Sequence, residues 1–296
     1  MLFFKKKKKE EKQDSEQKYI GPDPVFIIHL LMEDKCVIPE KESMVKIMEK
    51  HLGDVQCNKF ENNMTGFLAL NYTTHFKDAE DAPPQLMITE CQKIEKPLLD
   101  DVSRSQLWDC EDSEKILNTC KYQVMANDMM AVGMYYKDRA DMLVNYAEAL
   151  VEMFPSCKAV LFENSKKMMT REEILNNSYP KETKFIYYAV HARYFKNQDS
   201  DDYLVDTLGM STFFMPDLQY YFHGMNPNNA IQSAYSLLCY MFENENPIKS
   251  GDTVNGTVDG EINPEVKWKV YYTDAMMKPE RAVIDVNTGE FASGKR

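Results

Sequence analysis

The groups that could do chemistry in this 296-residue sequence are five histidines, seven cysteines and an excess of carboxylates. His223 is the most suggestive. It closes the run Gln219-Tyr220-Tyr221-Phe222-His223-Gly224, directly before a helix start at Asn226-Pro227. A helix start offers free N–H groups and a positive dipole end, which suits an anionic group. Asp217 and Asp252 are the carboxylates that would complete a site with it. This gives one reading, an enzyme of unknown class acting near Asp217, His223 and Asp252. The competing reading gives His223 a structural hydrogen bond across the strand–helix turn. As binding residues the sequence nominates Asp217, Gln219, His223, Asn226, Lys249 and Asp252. It nominates no catalytic residue, no metal ligand and no cofactor.

The remaining reactive side chains read as structural. His29 and His191 fall inside apolar strands, where a hydrogen-bonded, half-buried imidazole is the default. The cysteines are Cys36, Cys57, Cys91, Cys110, Cys120, Cys157 and Cys239, an odd number with no C-x-x-C pair. That spacing supports neither a disulfide framework nor a tetrahedral zinc site, and it implies thiols kept reduced in a cytoplasm. The doublets Met129-Met130, Met168-Met169 and Met276-Met277 lie in or beside apolar segments and read as core filling. The phosphate-binding, zinc-protease and nucleophile-elbow patterns are all missing from the sequence.

Charge narrows the partners. The chain carries −12 overall. Residues 1–18 hold seven lysines against four carboxylates, so the tail is +3 and the remainder −15. An acidic body argues against nucleic acid, which is bound by neutralising phosphates with Lys and Arg. It suits solubility or a basic protein partner. No stretch approaches the ~18 uncharged apolar residues of a spanning helix, so no membrane span is expected. Lys5 to Lys9 follow a short apolar start, the reverse of a secretory signal, and residues 1–18 read as a disordered basic tail.

Elements must position these groups. Val25 to Met32 reads as a strand, and Met44, Val45, Met48 and Leu52 recur at helical spacing before Gly53. Strands follow at 55–60, 65–72 and 85–91, so residues 19–100 form a first α+β unit. In residues 101–296 the clearest helix carries Ala140, Leu143, Ala147, Leu150 and Phe154 on one face and stops at Pro155. Thr170 and Glu173 make a capping-box pair. Residues 184–194 read as an aromatic strand, 249–260 as a loop, and 218–222, 266–272 and 282–286 as strands. The fold expected is α+β, with antiparallel sheets covered by helices on one face and two ferredoxin-like units packed together.

Several blocks in the last third resemble a known family. They are Thr207-Leu208-Gly209-Met210, Met215-Pro216-Asp217-Leu218-Gln219-Tyr220, Phe222-His223-Gly224-Met225-Asn226-Pro227 and Pro247-Ile248-Lys249-Ser250-Gly251-Asp252-Thr253. With Val283-Ile284-Asp285 and Gly289-Glu290-Phe291-Ala292 they resemble, over about 205–292, the C-terminal signature of an uncharacterised bacterial family, domain of unknown function 4261. Gln106-Leu107-Trp108-Asp109-Cys110 is similar to full-length relatives. Phe213-Phe214 departs from the pattern by being bulky. The resemblance implies no catalytic residues. It suggests an immunity or adaptor role beside secreted toxin systems. The leading expectation is therefore a cytoplasmic protein-binding module, neutralising a basic partner. The enzyme described above and a structural accessory protein are the alternatives.

Overall fold

The computed structural model describes residues 25–61, 63–258 and 260–294. The basic tail expected over residues 1–18 lies outside them. The first part of the chain runs β1 (Ile27–Met32), α1 (Lys41–Leu52), β2 (Val55–Glu61), β3 (Met64–Ala69), β4 (Gln85–Thr89) and β5 (Gln92–Lys93). Two short helices follow, α2 (Asp101–Ser105) and α3 (Ser113–Thr119), then β6 (Tyr122–Met129), α4 (Tyr136–Met153), β7 (Ala159–Phe162), β8 (Lys167–Thr170) and α5 (Arg171–Leu175). These strands make one eight-stranded antiparallel sheet in the order β2-β3-β4-β6-β1-β7-β8, with β5 beside β6.

The rest of the chain runs α6 (Lys184–Ala189), β9 (His191–Lys196), β10 (Tyr203–Leu208), β11 (Asp217–Phe222), α7 (Pro227–Glu243), β12 (Thr253–Val258), β13 (Glu261–Asp274) and β14 (Ala282–Asn287). Its six-stranded sheet has the order β12-β13-β14-β11-β10-β9. The β11–β14 pair is parallel because α7 and the β12–β13 hairpin intervene between them; the other pairs are antiparallel. The α+β class expected from the sequence is what the chain forms. The two ferredoxin-like units are not what the strand orders deliver, since β6, from well beyond residue 100, inserts between β4 and β1. The chain passes from one sheet to the other between β8 and β9, whereas the sequence pattern divides it near residue 100.

One apolar core joins both sheets. Ile28, Leu30 and Met32 of β1 face Met44, Met48 and Leu52 of α1 and the stripe of α4, where Leu143 and Leu150 are buried. Ala230, Ala234, Leu238 and Met241 of α7 cover Tyr220, Trp268 and Val270 of the second sheet. Phe185, Phe213 and Phe242 pack where the halves meet, with the Phe185 and Phe213 rings 4.6 Å apart, so the bulky Phe213 is a core residue. The other side of the first sheet, with Leu31, Ala159, Leu161 and Met168, is sealed by Leu99, Leu107, Cys110 and Ile116 of the α2–α3 region. One-sided covering therefore holds for the long helices only. No helix among the described residues is long and apolar enough to cross a membrane.

The local signals hold where they were strongest. Thr170 Oγ1 accepts from the N–H of Glu173 at 3.2 Å, and Glu173 Oε2 accepts from the N–H of Thr170 at 2.6 Å. Asn226 Oδ1 caps α7 by accepting from the N–H of Asn228, with Pro227 in the first turn. Two expectations fail. Residues 184–189 are the helix α6 instead of a strand, burying Phe185, Ile186, Tyr188 and Ala189. Residues 253–258, expected as loop, are the strand β12.

Candidate functional site

Asp217 opens β11 on the face turned away from α7, and there the structure buries a network of charges. Asp206 on β10 takes two hydrogen bonds from Arg193 on β9, at 2.8 and 2.5 Å, and a third from Arg281 Nη2 at 2.7 Å. Arg281 Nε donates to Asp217 Oδ2 at 3.2 Å, and the N–H of Met210 donates to Asp217 Oδ1. Burial pushes the Asp217 carboxyl up to about 6, with Arg281 pulling the other way. The arginines also hold the segment after β13. Arg193 Nη1 donates to the carbonyl of Lys278, and Arg281 Nη1 donates to those of Met277 and Pro279. Gln219 completes the clamp, accepting from the N–H of Met276 at 2.7 Å and donating to Asp285 at 3.0 Å. Asp217 and Gln219 thus come together, as parts of a buried fastening.

The other nominated residues lie apart from these two. His223 is exposed, and its Nδ1 lies 3.0 Å from Ser293 Oγ, which donates to Asp202 Oδ1 at 2.6 Å. A serine nucleophile needs the imidazole to take its proton. Here the hydroxyl proton is committed to Asp202, so Ser293 accepts from His223 and the row is structural. Asn226 caps α7. Asp252 Oδ2 accepts from the N–H of Lys249 at 2.8 Å and closes the turn before β12. Among the described residues, no hydrogen bond or ion pair joins any two of Asp217, His223 and Asp252. Nor does any cluster of three or more His, Cys, Asp or Glu side chains there have a placement that could hold a metal ion.

Asp252 nevertheless borders a concavity of the second half. A groove of about 560 Å³ runs between α7 and β12, floored by Leu237, Ile248, Val254 and Ile262, with Ser233 and Tyr240 along the helix side. Its strand wall is a sheet edge, because β13 is the only strand paired with β12 among the described residues. The N–H of Val270 donates to the carbonyl of Asp252. Antiparallel ladders alternate, so the peptide groups of Thr253 and Asn255 point away from β13. A register shift then follows at Asn255/Gly256, where a Cβ on Gly256 would stand 2.6 Å from the Trp268 ring. That close approach explains the glycine.

The opposite edge of the same sheet is closed. Gln106 Oε1 accepts from the N–H of Tyr194 at 2.7 Å, and Trp108 Nε1 donates to the carbonyl of Ala192 at 3.1 Å, both on β9. The carbonyl of Gln106 lies 3.0 Å from His191 Nε2. Burial pulls His191 down to about 4, so the imidazole is neutral there. Asp109 reaches Lys167 at 3.5 Å, and Lys167 Nζ also lies 3.1 Å from Tyr235 OH. The block Gln106 to Cys110 was visible in the sequence as a motif. Its role as a side-chain cover for a strand 84 to 88 residues away was not.

Residues 206–287, from within β10 to the end of β14, match the model of a family described as Domain of unknown function (DUF4261). The match takes in Asp206, Asp217 and Arg281 of the buried charge network but not Arg193, together with α7 and β12. No curated protein and no solved structure matches the chain.

Proposed function

We propose that this chain is a protein-binding module that takes an extended segment of a partner against the free edge of β12, over the groove beside α7. The observation that carries this reading is the contrast between the two edges of one sheet. β9 is capped by Gln106 and Trp108, whereas β12 presents the peptide groups of Thr253 and Asn255 beside an apolar floor. Unpaired strand edges are templates for another strand, and an edge next to a helix groove pairs main-chain hydrogen bonds with side-chain selection. The net charge of −12 favours a basic partner. A cytoplasmic setting and an immunity or adaptor role belong to the same proposal. The enzyme alternative has less support, because Asp217 is committed to Arg281, Asp252 to a turn and His223 to Ser293.

The test uses a partner recovered by co-purification and then purified. Thr253→Pro removes an outward N–H at an edge position that tolerates proline. Tyr240→Glu puts a charge on the groove wall. Each is expected to weaken binding at least tenfold with little change in melting temperature, and wild-type affinity is expected to fall as salt rises. Unchanged affinity in both variants would leave the structural accessory reading standing.

A further inference from the structure

A second surface, where the end of β6 leads into α4, has the composition of an interface. β6 ends at Met129, and Met130 follows with φ of 60°, in the left-handed region that a bulky side chain seldom occupies. A 3-10 turn spans Ala131–Gly133, and Tyr135 then leads into α4. The loop carrying Phe76 is fastened to that turn. The N–H of His75 donates to the carbonyl of Gly133 at 3.2 Å, and a Cβ on Gly133 would stand 2.2 Å from the His75 carbonyl oxygen. The two backbones therefore touch, so the segments that carry the large apolar side chains are neighbours. Phe76, Met129, Met130, Val132 and Tyr135 are each 37% to 48% exposed.

Scattered exposed apolar residues need no explanation, but a cluster from two interlocked segments marks an interaction site. Its borders are acidic. Asp78, Glu80 and Asp81 follow Phe76 on the same loop, and Asp138 stands in the first turn of α4, all exposed. Two lysines lie among them, Lys77 and Lys137, and Lys137 Nζ already donates to the carbonyl of Glu243. Thioether side chains adapt to irregular apolar partners.

We infer that this patch docks a basic segment of a partner protein, one that sets apolar side chains against Met129, Met130 and Val132 and cations against Asp78 and Glu80, Asp81 being held by His75 Nδ1 at 2.8 Å. The inference does not rest on the β12 groove. Together the two surfaces would let one chain bridge two partners.

The full chain is titrated with a labelled amphipathic peptide of leucine and lysine, and with its leucine and glutamate counterpart. The lysine peptide is expected to bind, with affinity falling as salt rises, and the glutamate peptide is not. Met130→Asn, which introduces a residue type tolerant of positive φ, and the reversal Glu80→Lys are each expected to weaken binding roughly tenfold, a change of about 1.4 kcal/mol. Tyr240→Glu in the groove leaves this binding unchanged, so the two proposals fail separately. Equal binding of both peptides, or no effect of either patch variant, overturns the inference. Replacing Lys5 to Lys9 by glutamine tests this chain's own basic segment as the occupant. A gain in peptide affinity there overturns the assignment to a partner. Concentration-dependent dimerisation abolished by Met130→Asn overturns it in favour of a second copy.

Discussion

Arg281 Nη2 lies 2.7 Å from Asp206 Oδ2, and both side chains are almost wholly withdrawn from water. Arg193 shares that carboxylate, so Arg281 is the cation that lets Asp206 and Asp217 be buried side by side. Removing one member of a buried ion pair strands the other. Arg281→Leu is expected to cost about 3–5 kcal/mol in urea unfolding. A loss under about 1 kcal/mol, within the range of an exposed pair, would show that the network is solvated.

Two groups oppose each other in acid. Asp217 titrates at about 6 in the folded chain, above the ordinary value of about 3.9. The folded state therefore takes up this proton first, and the stability it contributes falls as pH rises from about 4 to about 6. His191 titrates at about 4, below its ordinary value of about 6.5, so its contribution rises with pH across the same span. Asp217→Asn removes the first and leaves the second. The drop in melting temperature between pH 7 and pH 4.5 is expected to be larger in the variant than in the wild type, whatever its overall stability. A smaller drop would contradict the assignment.

Gly209, in a block shared with the family signature, has φ of 139°, and a Cβ there would meet the Ala189 carbonyl oxygen at 2.5 Å. Gly209→Ala is expected to destabilise by about 1–3 kcal/mol from backbone conformation alone. Chemical denaturation of the purified variant measures it, and a neutral result would mean that the α6–β9 corner yields.

All seven cysteines are free. Burial pushes the thiols of Cys110 and Cys157 up to about 12, so their thiolate population at pH 8 is negligible. Mass mapping after a thiol probe at pH 8 is expected to leave these two unmodified in the native protein. In denaturant without reductant, all seven should be labelled. A residue labelled only after reduction would reveal a bridge.

How much was legible depended on distance along the chain. The α4 stripe, the Thr170–Glu173 box and the Asn226-Pro227 start each depend on neighbours within a few turns of helix, and the sequence alone determined them. α6 and β12 were misread for the same physical reason. Phe185, Ile186, Tyr187 and Tyr188 have strand propensity, and Asn255-Gly256 has that of a turn. In each case tertiary context overrode propensity, through burial of Phe185 and Ile186 in the shared core and pairing of β12 with the long β13. The site followed the same division. The sequence put Gln219 on an apolar strand, with Asp217 just before it. Only the tertiary structure supplied Arg281, 64 residues from Asp217, and closed the edge of β9 with Gln106, 88 residues from Tyr194. A charge pair or an edge hydrogen bond joins groups that folding brings together, and no local periodicity records which groups those are.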